Sequence, residues 1–290
     1  MAKVAILGVG KMGSAMAREI VGSGHSVLLW NRTKQHADDA VSNIANPLVR
    51  VTSNVNEAVA NSEIVISTFT DGSVTERVLL SESSLLQSAK PDTIFVDMGT
   101  SGVESAKLLS EEITNAGFRF IDAPVSGSVS TIASHQLLVM ASGSQDAIDE
   151  IRPVLLAFAK KVSNLGPAGN GQAMKLAVNL IVHTLNAAVA EGLALAIASG
   201  IDPIAAYDIF EESVIAAPFV KYKRLAFLEA GTPVAMRMDT VVKDLRLIRA
   251  LGVAVGLRLE TTTAVNELYR QACAADYERE DMASLVRFLR

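Results

Sequence analysis

The first 165 residues alternate between short apolar runs and stretches in which apolar residues recur at helical spacing. Two of these runs, Lys3–Leu7 and Ser26–Trp30, predict strands, and residues 14–21 between them predict a helix. The pattern then predicts strands at residues 48–52, 63–69, 93–98, 118–121, 137–141 and 160–164, and helices at residues 57–61, 103–116 and 145–157. Such alternation predicts an α/β domain with a doubly wound, mostly parallel sheet.

From residue 169 onward the pattern changes, and only helices are predicted. Residues 169–199 are apolar on nearly all sides and contain no proline, and about 29 helical residues within them would span roughly 43 Å. Polar residues interrupt the stretch and argue against a membrane span: Lys175, Asn179, His183, Asn186 and Glu191. Because Lys175 and Asn179 are four residues apart, they share one helix face and need polar partners if they are buried. The stretch is either a structural polar seam between domains or the wall of an active site.

Further helices are predicted at residues 203–213, 217–230, 240–251, 261–274 and 282–289. A length of 290 residues favours two domains. We place the boundary near Gly166 and Pro167. This predicts a nucleotide-binding sheet domain at residues 1–165 and an all-helical domain at residues 166–290, joined by the long helix.

Composition narrows the class of partner. Half of the residues are hydrophobic, and the net charge is −5 without a basic stretch of the kind that binds nucleic acid. Cys273 is the single cysteine in the sequence, which fits a reducing compartment. We therefore expect a cytoplasmic protein that acts on a small molecule, with no nucleic-acid partner, no membrane partner and no bound metal.

The turn between the first strand and the first helix reads Gly8-Val9-Gly10-Lys11-Met12-Gly13. This G-x-G-x-x-G pattern, preceded by a strand and followed by a helix, is the dinucleotide-binding (Rossmann) fingerprint. Gly8 suits the tight turn, Gly10 lets the backbone approach a pyrophosphate, and Gly13 allows the helix to pack closely on the strand. The alternative, a glycine-rich turn without a ligand, is disfavoured by this context.

The end of the second strand indicates which dinucleotide is bound. An NAD site has an acidic residue there for the ribose 2′-hydroxyl, whereas this chain has Asn31, Arg32 and Thr33. A planar cation and a hydroxyl donor suit a 2′-phosphate, which favours NADP. The alternative is that Arg32 and Lys34 are only solvated loop charges.

Other strand ends add candidate ligand contacts. In an open parallel sheet, ligands bind at the carboxyl ends of the strands, which here carry Thr68, Phe69, Thr70 and Thr100. After the strand at residues 118–121 come Ser126, Gly127 and Ser128, whose hydroxyls and backbone N–H groups suit a carboxylate because it only accepts hydrogen bonds. An ordinary polar turn explains the same residues equally well.

Four motifs give the sequence a family resemblance that runs from Lys3 to about Leu289. They are the segment from Ile6 to Ala17, the segment from Asp122 to Gly127, the pattern Gly169-x-Gly171-x-x-x-Lys175-x-x-x-Asn179, and Lys243-Asp244-Leu245. In this order and spacing they resemble the β-hydroxyacid dehydrogenases, the group of 3-hydroxyisobutyrate dehydrogenase and the glyoxylate and succinic semialdehyde reductases. The resemblance implies an N-terminal Rossmann domain, an all-α C-terminal domain like that of 6-phosphogluconate dehydrogenase, and a homodimer or homotetramer.

The resemblance also implies roles for the matching residues. Lys175 would be the catalytic acid and base, and Asn179 would hold the substrate and orient the site. Ser126 and Gly127 would bind the substrate carboxylate, with Ser128 where the family usually has a second glycine. The site would lie in the cleft between the domains.

Cofactor contacts follow from the same resemblance. Thr100 would lie near the nicotinamide, and Lys243 would contact the cofactor, with Asp244 supporting it at the substrate site. The Asn31 to Thr33 stretch resembles the branch of NADPH-dependent reductases.

Two departures and two alternatives accompany the resemblance. His135 and Ser130 stand where the family usually has glycines, and the added bulk either narrows the substrate pocket or fills space against the second domain.

An imine reductase would share the Asn31 to Thr33 stretch, but most carry Asp or Tyr at the position of Lys175. A non-catalytic NADP-binding protein is the alternative from another class, and the presence of Lys175 argues against it.

Overall fold

The structure is a computed structural model that describes residues 1–81 and 85–290 of the chain. It divides into two compact units, Met1–Lys175 and Leu176–Arg290.

The first unit is built on one sheet. Its strands in the described residues are β1 (Lys3–Leu7), β2 (Ser26–Trp30), β3 (Val49–Val51), β4 (Ile64–Ser67), β5 (Ile94–Asp97), β6 (Arg119–Asp122), β7 (Val125–Ser126), β8 (Leu137–Gly143) and β9 (Ala159–Asn164). The order is β3-β2-β1-β4-β5-β6-β8-β7, with β9 paired to β8. Strands β1 to β6 pair in parallel, β8 runs antiparallel to β6 and β7, and β9 runs parallel to β8. The predicted mostly parallel sheet is confirmed.

Helices cover both faces of this sheet. They are α1 (Lys11–Gly22), α2 (Lys34–Ile44), α3 (Val55–Ala60), α4 (Gly72–Glu76), α5 (Leu85–Ser88), α6 (Val103–Asn115), α7 (Val129–Ala133) and α8 (Gln145–Leu155). Side chains alternate along β1, so that Val4 and Ile6 join one buried cluster while Ala5 and Leu7 join another on the opposite face. The doubly wound prediction is therefore confirmed by two separate cores.

Several short elements go beyond the sequence pattern. Helix α1 begins at Lys11, three residues before the predicted start at Ser14. Helix α2 was not predicted, because its buried residues are only the small Ala37 and Ala40. The pattern also did not predict α4, the π-helical turn at Arg77–Ser81, α5, β7 or α7, since runs of two to five residues are too short to show a period.

The long helix α9 spans Asn170–Ala198, 29 residues, and continues from the first unit into the second. By length and composition alone it could cross a membrane, with a mean hydropathy of 1.7 in its most apolar window. The core helix of a globular protein passes the same test. Its polar residues Asn179, His183 and Asn186 are buried within the second unit.

The second unit is helical, as predicted. It contains α10 (Pro203–Glu212), α11 (Pro218–Leu228), α12 (Met238–Ala254), α13 (Glu260–Ala272), a 3₁₀ turn (Met282–Ser284) and α14 (Leu285–Phe288). Helix α10 begins sharply because the Asp202 side chain accepts hydrogen bonds from the Ile204 and Ala205 N–H groups, both at 3.0 Å, and Pro203 opens the first turn. The predicted helices agree with these bounds to within a few residues.

A buried ion pair ties the last part of the chain to α11. Lys223 Nζ lies 2.6 Å from Asp281 Oδ1, and each side chain is almost fully buried. Asp281 Oδ2 also accepts hydrogen bonds from the Ala235 N–H (2.9 Å) and the Met236 N–H (3.2 Å). Burial opposes ionisation of Asp281, but these partners together hold its pKa below the ordinary value.

Candidate active site

The turn between β1 and α1 is built tightly around its glycines. Gly8 has a φ of 95°, in the left-handed region that favours glycine, and its N–H donates to the Trp30 carbonyl (2.9 Å). A Cβ atom on Gly8 would lie 2.9 Å from the Phe69 ring, and one on Gly13 would lie 2.5 Å from the Gly8 carbonyl oxygen. A Cβ atom on Gly10 would meet no described atom within 4 Å. The turn therefore leaves open space at the N-terminus of α1, where a pyrophosphate can approach the backbone.

The residues after β2 lie beside this turn. Asn31 Oδ1 accepts a hydrogen bond from the Val9 N–H (3.0 Å), and Asn31 Nδ2 donates to the Thr33 carbonyl (2.9 Å). Thr33 is exposed at the N-cap of α2. An open depression of about 310 Å³, lined by residues of the turn, α1 and α2, adjoins them and includes Lys11. This edge has room for the adenosine end of a dinucleotide.

Two cations follow Asn31 and differ in their surroundings. Lys34 Nζ lies 2.5 Å from Asp38 Oδ1, one turn further along α2. Arg32 is exposed, and its guanidinium makes no hydrogen bond or ion pair with any residue that the structure describes. Arg32 is thus available to an anionic ligand, whereas Lys34 is already paired.

The ends of β4 and β5 lie at the same edge of the sheet as the turn. The Thr68 hydroxyl donates to the Gly8 carbonyl, and the Phe69 ring packs against Gly8, so both residues hold the turn in place. Thr70 is exposed, and Thr100 is half-buried in the loop between β5 and α6. Thr68, Phe69 and Thr70 follow β4 and Thr100 follows β5, and these two strands are paired neighbours in the sheet.

The start of α9 is fastened to two of these loops by Gln172, which is fully buried. Its Oε1 accepts hydrogen bonds from the Ser101 and Gly102 N–H groups, both at 3.1 Å. Its Nε2 donates to the Gly99 carbonyl (3.0 Å) and to Asp122 Oδ1 (2.9 Å). The amide therefore fixes the loop that carries Thr100 relative to the helix that carries Lys175.

Asp122 is the second buried group of this network. Its Oδ2 accepts hydrogen bonds from the Ser142 hydroxyl (2.9 Å), the Gln172 N–H (3.0 Å) and the Gly169 N–H (3.3 Å). Burial raises the pKa of Asp122 to about 6, against the opposing effect of the hydrogen bonds from Gln172 and Ser142. Asp122 lies at the end of β6, so its network also anchors the loop that leads to Ser126.

The loop from Ser126 to Ser128 differs in one respect from the sequence interpretation. The Ser126 hydroxyl and the Gly127 N–H make no hydrogen bond within residues 1–81 and 85–290, but the Ser128 N–H, expected to be free, donates to Thr131 Oγ1 (2.8 Å). The Ser128 hydroxyl lies 2.8 Å from the Ser130 hydroxyl. Ser128 is the N-cap of α7, and its N–H is taken up by Thr131 within that helix. Of the three predicted donor residues, Ser126 and Gly127 therefore keep free donors.

His135 follows α7 and has a φ of 55°, in the left-handed region. Such a conformation favours glycine, which is the residue usual at this position in the family that the sequence resembles. The His135 side chain is half exposed, and its Nε2 lies 3.2 Å from Glu19 Oε2 on α1. This contact lies within the first unit.

Lys175 and Asn179 lie one turn apart on α9, and Lys175 is half-buried. Asn179 is 5% exposed, and its Nδ2 donates to Asp244 Oδ2 on α12 (2.7 Å). Lys243 Nζ lies 2.9 Å from Asp244 Oδ1. Asp244 thus joins two predicted site residues of the second unit, Asn179 and Lys243, and is itself buried.

Sequence reasoning assigned no site role to three buried polar groups of these networks, Gln172, Asp97 and His183. Gln172 lies near the start of the apolar helix α9. An amide side chain within an apolar stretch is the sequence signal that could have identified it. Asp97 ends the apolar strand β5 and accepts hydrogen bonds from the Ser67 hydroxyl (2.8 Å) and the Ser101 hydroxyl (2.7 Å). His183 lies one turn after Asn179, at the spacing that already linked Asn179 to Lys175.

Two family models match the chain, one after the other. Residues 3–166 match the NAD binding domain of 6-phosphogluconate dehydrogenase. Residues 169–289 match the NAD-binding domain of NADP-dependent 3-hydroxyisobutyrate dehydrogenase. Together the matches cover both compact units.

Individual relatives match over nearly the whole chain. The chain is 30% identical over 285 residues to the cytokine-like nuclear factor N-PAC of Xenopus tropicalis. The aligned region covers 98% of this chain and 53% of that protein. It therefore spans about half the length of these relatives. It is 30% identical over 287 residues to the chloroplastic glyoxylate/succinic semialdehyde reductase 2 of Arabidopsis thaliana, covering 99% of this chain and 79% of that protein. The solved 3-hydroxyisobutyrate dehydrogenase of Mycobacterium tuberculosis is 28% identical with a TM-score of 0.84, covering 100% of this chain and 99% of that one.

Proposed function

The chain belongs to the 3-hydroxyisobutyrate dehydrogenase family of NAD(P)-dependent oxidoreductases, and we propose that it reduces a small aldehyde or ketone that bears a carboxylate, with NADPH. The observation that carries the proposal is on α9. Lys175 lies one turn before Asn179, and the Asn179 amide is held by the buried Asp244. A proton donor and an oriented amide on one helix face are the groups that a carbonyl reduction requires.

The choice of NADPH rests on the end of β2. Arg32 has no partner in the described part of the chain, no carboxylate stands beside it before Asp38, and the hydroxyl of Thr33 lies next to it. The residues that would hold the dinucleotide are the turn from Gly8 to Gly13, with Arg32 and Thr33 at the 2′-phosphate. The open space at Gly10 fits a pyrophosphate. When bound, NADPH supplies the hydride that the carbonyl carbon receives.

The substrate carboxylate would bind at the loop after β7. The Ser126 hydroxyl and the Gly127 N–H are the free donors that support this role, while the Ser128 N–H contributes to the fold of α7. The Mycobacterium tuberculosis relative is described with L-serine, a small β-hydroxy acid. A carboxylate of that size needs only two or three donors.

Lys175 would supply the proton. During reduction, negative charge would develop on the carbonyl oxygen, and the Lys175 ammonium would stabilise that charge and donate a proton to it. Lys175 then regains a proton from solvent. In the oxidative direction the neutral amine of Lys175 removes the hydroxyl proton.

A substrate panel tests the proposal. Carboxylated aldehydes and ketones, their methyl esters, uncharged ketones and cyclic imines are each assayed with NADPH and with NADH. We expect turnover of the carboxylated compounds with NADPH, and a loss of about 10²- to 10⁴-fold in kcat for Lys175→Ala. Lys221→Ala, an exposed lysine on α11, is the matched control and should behave as the wild type.

Two further variants separate the binding roles. Arg32→Ala should weaken NADPH binding about ten- to a hundredfold, the loss of one charge-assisted contact, whereas Lys34→Ala should not, because Lys34 is paired with Asp38. Ser126→Ala should mainly raise KM if the carboxylate is held equally in the ground and transition states.

The alternatives appear as outcomes of the same panel. Cyclic imines turned over faster than every acid would favour an imine reductase that uses the same site. NADPH binding without turnover of any compound would favour a non-catalytic NADP-binding protein. We also propose a cytoplasmic homodimer or homotetramer without nucleic-acid or membrane partners, which light scattering and cell fractionation would test.

A further inference from the structure

The carboxylate of Asp244 is the centre of a buried polar cluster in the second unit. Asp244 is 1% exposed. Its Oδ2 accepts from Asn179 Nδ2 (2.7 Å) and lies 3.4 Å from His183 Nε2, and its Oδ1 lies 2.9 Å from Lys243 Nζ. Burial opposes ionisation, but the His183 hydrogen bond and the Lys243 charge hold the pKa of Asp244 below its ordinary value. Because the Asp244 carboxylate is enclosed by these side chains, it influences a bound ligand through them and not by direct contact.

His183 is the member of this cluster that neither the motifs nor the proposed chemistry uses. Its side chain is fully buried, and its Nδ1 has no hydrogen-bond partner among the described residues. With a hydrogen on Nε2, the ring donates to Asp244 and leaves Nδ1 as an acceptor only. An imidazole here costs more to bury than a leucine of similar size, so its contact with Asp244 calls for an explanation.

The contact matters because Asp244 determines how Asn179 is oriented. An ionised carboxylate only accepts hydrogen bonds, so the Asn179 amide must turn its NH₂ group toward Asp244 and its oxygen away from it. That oxygen can accept a hydrogen bond from a substrate hydroxyl or a lysine ammonium. Asn179 and His183 both approach Oδ2, whereas Lys243 approaches Oδ1. His183 therefore limits rotation of the carboxylate on the side that faces Asn179.

We infer that His183 is a positioning residue, which holds the Asp244 carboxylate in the rotation that orients Asn179 toward the substrate. The inference rests on the proposed function for its kinetic consequence, but its structural part concerns the protein without ligands. It predicts that loss of the Nε2 donor impairs the use of substrate, because Asn179 then loses its fixed orientation.

The experiment compares His183→Leu with His183→Gln in the full chain. Leucine fills the space without a donor, whereas glutamine carries an NH₂ group at about the reach of Nε2. We expect His183→Leu to lower kcat/KM for the best carboxylated substrate roughly tenfold, the loss of one hydrogen bond to a charged group, and His183→Gln to restore most of it. In an Asn179→Ala background, His183→Leu should have less than about a twofold further effect, because the two residues act through one contact.

A readout without turnover accompanies the kinetics. In protein labelled with ¹⁵N at asparagine side chains, the Asn179 NH₂ signals, assigned with Asn179→Ala, should shift in His183→Leu and stay near the wild-type position in His183→Gln. An unmoved Asn179 signal in His183→Leu would overturn the inference, and so would equal kinetic losses in both variants or an additive effect in the Asn179→Ala background. If the wild type turns over nothing while the Asn179 signal still shifts as expected, the proposed function fails and the positioning contact stands.

Discussion

Gln172 offers the sharpest test of how the candidate site is held together. We expect Gln172→Met to destabilise the first unit, because methionine fills the same space without any hydrogen bond. The change removes the partner of two N–H groups, Ser101 and Gly102, and of the Gly99 carbonyl. Asp122 loses one of its hydrogen bonds but keeps those to Oδ2.

The magnitude follows from the groups left unpaired. Each buried backbone group without a partner costs about 1–3 kcal/mol, so three such groups predict a loss of roughly 3–5 kcal/mol after partial relaxation. Gln271→Met is the matched control, since the exposed Gln271 makes one surface hydrogen bond to Glu267 (3.2 Å) and its loss should cost less than about 0.5 kcal/mol.

Denaturant unfolding measures the global effect, and hydrogen exchange of the Ser101 and Gly102 amides measures the local one. Gln172→Glu adds a second arm. It keeps the acceptor for both N–H groups but places a second carboxylate against Asp122, so it should be less destabilising at pH 5, where one proton can be shared, than at pH 8. Two results together would refute the reasoning. They are unchanged exchange of the Ser101 and Gly102 amides in Gln172→Met, and a stability within about 1 kcal/mol of the wild type, close to the effect of an ordinary surface substitution.

Three further predictions concern other parts of the structure. Gly13→Ala should cost about 1–3 kcal/mol by overpacking, while Gly10→Ala should leave unfolding unchanged and weaken NADPH binding in a fluorescence titration, because its methyl group would enter open space. The pKa of Asp122 rises from 3.8 to about 6 on folding, so its contribution to stability is full below pH 3.8 and is lost as the pH rises through 6. Relative to Asp122→Asn, the wild type should therefore lose about 3 kcal/mol between pH 3 and pH 8 in denaturant unfolding, and a constant difference would contradict this. Lys223→Met should cost roughly 3–5 kcal/mol at pH 7 by leaving the buried Asp281 unpaired. The cost should shrink as the pH falls, because without Lys223 the buried Asp281 takes up a proton more readily, with thermal unfolding as the measurement.

The sequence by itself determined the elements whose signals are local. The strand–turn–helix unit at Lys3–Leu7, Gly8 to Gly13 and α1 could be predicted because the apolar run, the glycines and the helical period are neighbours along the chain. The long helix α9 could be predicted for the same reason. The polar helix α2 could not, because only Ala37 and Ala40 face the core and they give little hydrophobic period.

The tertiary structure decided which polar groups meet. Gln172 reaches the Ser101 N–H across 71 residues of sequence, and Asn179 reaches Asp244 across 65. It also showed that the Ser128 N–H is used by α7, and that His183 contacts Asp244 rather than only filling space. Hydrophobic period and turn chemistry report on a window of a few residues, whereas these hydrogen bonds depend on how separate elements pack, and packing is fixed only once the whole unit has folded.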